Sequence, residues 1–185
     1  GARVGLELRE DVTHVALDRL LRDEQLGGHI GVRHAVGEKL QDLALAGDLA
    51  TVFVFWELMA IGSTVVIWSA GTASAYRASL RYAAVHLFGG VLLMAGIAGH
   101  AAATGSVGFE RFALDSPAHW LILAGFLVNA GAWPISAWLP DAYPEASWSG
   151  TVFLSAFTTK AAVYVLLRGF PGTELLVYVG LFMVF

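Results

Sequence analysis

From residue 49 onward the chain runs in long apolar stretches separated by short polar breaks. Leu49–Ala70 is 22 residues with one charge, Glu57. Tyr82–Ala103 is 22 residues with none, although it holds His86 and His100. Ala118–Leu139 is again 22 residues without a charge, and Ser149–Leu167 is 19 residues with one, Lys160. At about 1.5 Å per residue these lengths match a bilayer core of about 30 Å. Hydrocarbon offers the backbone no hydrogen bonds, so runs of this length are predicted to be helices. Leu175–Phe185 opens a fifth. Trp120, Trp138 and Trp148 fall near the expected ends, as an aromatic belt requires.

The pattern therefore predicts an all-α fold: a polytopic transmembrane helix bundle. One member is discontinuous. Pro134 lies inside the third run, where it removes a backbone hydrogen bond and clashes with the preceding turn. Such breaks occur in membranes where backbone lines a cavity or is covered by protein. Arg77 and Arg81 precede the second run, and their excess positive charge assigns that end to the cytoplasmic side.

Residues 1–46 read differently, as a polar segment of uncertain structure ahead of transmembrane residues 47–185. Residues 17–26 have apolar positions at helical spacing and a charged opposite face. His14, His29 and His34 match no zinc spacing and are read as solvated side chains. Composition sharpens the contrast. The whole chain is 57% hydrophobic and 14% charged, where soluble domains carry about 25% charge. Its mean hydropathy is +0.66. Yet 15 of its 26 charged residues lie in positions 1–48. The net charge of −4 and the lack of a basic stripe argue against nucleic acid. With no Cys, the chain has neither a thiolate nucleophile nor cysteine metal ligands. No metal site is expected, and catalysis by the chain alone is not.

The candidate chemistry lies in the few polar groups within the apolar runs. Lys160 sits near the centre of its run, eight residues from Arg168, too deep to reach the interface easily. An ammonium there costs about 2.5–3.5 kcal/mol on insertion scales and marks a proton relay or a structural ion pair. Glu57 is the natural counter-charge, as a tuning carboxylate or a fixed salt-bridge partner. Asn129, five residues before Pro134, has an amide suited to water, to a freed carbonyl, or to an interhelical hydrogen bond of about 1 kcal/mol. His86 and His100, 14 residues apart on nearly one helical face, suit hydrogen bonding, a proton wire or heme ligation.

The segments at 53–60 (FVFWELMA), 125–134 (GFLVNAGAWP), 138–142 (WLPDA) and 154–168 (LSAFTTKAAVYVLLR) together resemble the antiporter-like membrane subunits of respiratory complex I and the Mrp cation/proton antiporters. The likeness is greatest to the D-type subunits of the Mrp group and covers roughly residues 44–185. It implies a multi-pass protein of the inner membrane that works with other membrane subunits and moves H⁺ and Na⁺ without a cofactor. It implies a proton path in which Glu57 and Lys160 take the family's glutamate and second lysine positions, with His86 beside them. Asn129 stands where the broken helix normally carries a lysine. The resemblance also implies a further helix before Gly47 and a second repeat after Phe185, so the chain is expected to be a fragment. Two alternatives stand beside this expectation: a quinone- or heme-linked membrane anchor of an oxidoreductase, and a structural, non-pumping subunit.

Overall fold

The computed structural model describes residues 47–184. The sequence-based expectations for residues 1–46, including the amphipathic stretch 17–26 and the three histidines, lie outside the described residues. The described part is helical. In chain order the helices are α1 (Leu49–Trp68), α2 (Ala73–Thr104), α3 (Pro117–Ala130), α4 (Trp138–Ala142), α5 (Trp148–Gly169) and α6 (Glu174–Val184). Among the described residues the only β pairing is an isolated bridge between Asp48 and Gly108.

The helix starts are set by small polar side chains that accept from otherwise unpaired N–H groups. Asp48 accepts from Thr51 N at 2.7 Å and from its hydroxyl at 2.8 Å. Thr72, Ser116 and Ser147 do the same for α2, α3 and α5. The Thr51 N–H holds the Asp48 carboxyl below its ordinary range. Thr72 also explains why α2 begins nine residues earlier than hydropathy predicts. Its first turns carry Ser74, Arg77, Ser79 and Arg81, which keep them out of the apolar run although they are helical.

α1, α2 and α5 are long and apolar enough to cross a membrane. At 32 residues, α2 is about 48 Å long and overshoots a 30 Å core. The third apolar run is the discontinuous one. α3 stops after 14 residues, and α4 resumes at Trp138. The stop falls at Gly131, which adopts φ 68°, three residues before Pro134. Pro134 thus lies within the break, where the Trp133–Pro134 peptide is cis.

α2 packs closely on α3 because glycines let the backbones approach. A Cβ on Gly96 would stand 2.7 Å from Ile122 N, and one on Gly125 would stand 2.9 Å from Gly89 O. Trp56, Leu93, Ile97, Ile122, Phe126 and Val165 form the main apolar core between α1, α2, α3 and α5. A smaller core gathers Ile67, Tyr82, Trp138 and Leu154 at the opposite end. The segment between α2 and α3 closes the main core: Leu49 N donates to Val107 O at 2.7 Å, and Phe112 N to Gly169 O at 2.7 Å.

Candidate functional site

The site is built around a residue with no side chain. At Gly90 the Glu57 carboxylate of α1 fills the space a Cβ would need. An added methyl would stand 2.8 Å from Glu57 Cδ and would collide with Oε1. Glu57 is half-buried and directed into the α1–α2 seam. At the neighbouring Gly89, a Cβ would meet Val128 Cγ1 at 2.9 Å and Asn129 Oδ1 at 3.3 Å. The fully buried Asn129, one residue before α3 ends, therefore reaches the same level of α2.

One turn nearer the start of α2 is His86, also buried. Its Nδ1 lies 2.9 Å from Tyr82 O. A carbonyl only accepts, so Nδ1 carries the hydrogen; in the neutral ring Nε2 is then an acceptor. The imidazole stacks on Tyr82 at 3.8 Å. At the Tyr82 level the Ser63 and Thr158 hydroxyls hydrogen-bond at 3.3 Å, joining α1 to α5. The Tyr82 hydroxyl faces this pair.

Among the described residues, the buried polar atoms without a hydrogen-bond partner are concentrated here. They are Trp56 Nε1, Glu57 Oε1, Tyr82 OH, His86 Nε2 and both amide atoms of Asn129. Leaving a buried polar group unpaired costs about 1–3 kcal/mol, and water is the general remedy. From Tyr82 to Gly90, eight residues or about 12 Å of α2, the buried face carries the polar tips of Tyr82 and His86. From Gly90 to His100 it is lined by Leu93 and Ile97.

Lys160 is placed apart. It is exposed on α5, on a stripe with Val152, Ala156, Val163 and Leu167. It follows Thr158 by two residues, about 200° around a helix, and so turns away from the α1–α5 contact. Among the described residues no salt bridge joins it to Glu57. The structure thus sets Glu57 and Asn129 against Gly90 and Gly89 of α2, one turn from His86, and leaves Lys160 on another face of α5.

His100 has a partner that its spacing within the second run did not reveal. Its Nδ1 lies 3.1 Å from His119 Nε2, across from α2 to α3. His119 Nδ1 in turn lies 2.9 Å from Asp115 Oδ1 and 2.6 Å from Ala113 O. The signal for His119 was local: it stands three residues after the Ser116 cap and four after Asp115. Tyr82, Ser63 and Trp138 were also missed as site residues, because only helix packing gathers them.

These features define a class: a multi-pass helical membrane protein with a discontinuous helix beside buried polar groups. Residues 46–183 match the NADH:quinone oxidoreductase/Mrp antiporter transmembrane family, and the chain belongs to that family. Over 161 residues it is 28% identical to the D subunit of the Na(+)/H(+) antiporter of Alkalihalophilus pseudofirmus, covering 76% of this chain and 33% of that protein. It is 32% identical over 136 residues to the D subunit of the probable K(+)/H(+) antiporter of Rhizobium meliloti, covering 67% and 25%. A chain in the solved Mrp complex from Dietzia sp. superposes with a TM-score of 0.68 at 28% identity, covering 78% of this chain and 30% of that one. The chain thus spans at most about a third of the length of these relatives.

Proposed function

We propose that the chain is part of a proton-conducting, cation/proton antiporter-like membrane subunit. Protons pass between Glu57 and the level of Asn129 and His86 through water held by the buried polar groups, and Lys160 continues the path on the outer face of α5. The observation that carries this reading is the polar interior around Glu57. Of the six unpartnered polar atoms, four lie on α1 and α2, which are of membrane-crossing length, and two on Asn129 beside the helix break. A stable apolar bundle has no use for them.

The polar groups lie toward the end of α2 that bears Arg77 and Arg81, the cytoplasmic end by the positive-inside rule. Lys160 bears on partners. A lone ammonium on a lipid-facing stripe is unfavourable, so that stripe is covered by further membrane protein, to which Lys160 passes its proton. The related proteins named for Na⁺/H⁺ and K⁺/H⁺ exchange support a monovalent cation as the counter-ion.

The test is proton flux in vesicles carrying the full-length protein with its partner subunits. Lys160→Ala is expected to lower flux at least tenfold. Unchanged flux would remove Lys160 from the path. The neutral Asn129 supports a second reading, a structural subunit that does not pump. Asn129→Lys separates the two: a change in transport favours conduction, and no change in transport or assembly favours the scaffold.

A further inference from the structure

We propose that α4 is a lid over the polar cluster and that Arg81 and Asp141 are its latch. The two are positioning residues that control access from the Arg81 end. The inference takes its purpose from the conduction reading, while its geometry stands independently.

α4 is five residues long and cannot hold its place by its own hydrogen bonds. It is held from outside, at both ends. At its start Trp138 is buried. The indole meets the His86 ring edge-on at 4.6 Å and the Tyr82 ring at 5.4 Å. Its Nε1–H donates to Val128 O at 3.1 Å, a carbonyl near the end of α3. The indole therefore caps His86 and Tyr82, two of the residues with unpartnered polar atoms. Near its end Asp141 takes a fork from Arg81: Nε to Oδ2 at 2.7 Å and Nη2 to Oδ1 at 2.6 Å. A bidentate guanidinium–carboxylate pair fixes direction as well as distance. It crosses 60 residues of sequence, from the start of α2 to the short arm after the break.

The pair is solvent-facing, with side chains 56% and 36% exposed. Its contribution to overall stability is therefore small. Its leverage is local, because it is the one ion pair that ties α4 to α2 among the described residues. A buried bridge would lock the lid shut. An exposed one can be broken and remade, which suits a lid that admits water or a proton and closes again.

Thiol labelling tests this in the full-length protein on a background without other cysteines. Ser63→Cys reports from the polar cluster and Ala162→Cys from the apolar core; both sites are fully buried. A charged, membrane-impermeant methanethiosulfonate is added from the Arg81 side. Asp141→Asn is expected to speed labelling at Ser63→Cys at least tenfold and to leave Ala162→Cys unchanged. Reversing the pair, Arg81→Asp with Asp141→Arg, is expected to slow labelling again. Three results would overturn the latch: no change at Ser63→Cys, an equal rise at both reporters, or no recovery in the reversed pair. Labelling reads access and flux reads conduction, so the lid can fail while the transport reading stands, and the reverse.

Discussion

At Gly90 one missing methyl decides where a carboxylate can stand. With a methyl there, Glu57 loses its niche and must turn toward lipid or toward α1 itself. Gly90→Ala is therefore expected to cut proton flux at least tenfold while the helical circular dichroism stays unchanged. Gly62→Ala on α1 is the control, since nothing lies within 4 Å of the added atom, and it is expected to be neutral. The Glu57 niche was not legible in the sequence. Glu57 announced itself as a charge in an apolar run, but Gly90 is one glycine among 21 until α1 is laid against α2. The same holds for Ser63 and Thr158, 95 residues apart and joined only by packing. Titration of the latch belongs to this scale too. The Arg81 guanidinium holds the Asp141 carboxyl below the usual range of about 3.9. A carboxyl lowered in the folded state supports the contact above its unfolded pKa and loses it as pH falls through the folded value. The latch is thus intact at neutral pH. Compared at the same pH, so that the falling thiolate fraction cancels, labelling at Ser63→Cys is expected to be slower with Asp141 than with Asp141→Asn at neutral pH. That difference is expected to close as pH falls below the ordinary carboxyl range.

The broken helix shows how much of an element hydropathy can see. A discontinuity in the third run was legible because Pro134 cannot sit within a regular helix. Its position was not. The chain leaves the helix at Gly131, where a positive φ lets the backbone turn and the Gly131 N–H reach Val128 O at 3.2 Å. Gly131→Ala is expected to destabilise the break by about 1–2 kcal/mol from the left-handed backbone alone. A Cβ there would also crowd Leu139 Cγ at 3.2 Å. A thermal melt followed by circular dichroism checks this; an unchanged midpoint would mean that the turn does not depend on glycine. The start of α2 was misjudged for a related reason. Hydropathy marks where oil begins, whereas the helix begins at its cap, and Thr72 lies well outside the apolar run.

Across the described residues two halves of different character emerge along α2. One holds the buried polar tips of Tyr82 and His86 under Trp138; the other is lined by apolar side chains as far as His100, where the His119–Asp115 chain begins. Membrane location and helical class were legible from run length, because the oil thickness sets that length directly. The placement of Lys160 was only half legible. Its charge was evident, but its placement on an open stripe of α5 depends on which helices surround it. The transport reading turns on protons moving by way of the Glu57 carboxylate. Proton flux driven by an imposed pH gradient decides it, in vesicles holding the full-length protein with its partner subunits, with Glu57→Gln compared against the native side chain. A loss of at least tenfold at unchanged assembly is expected; native flux in Glu57→Gln would contradict that role.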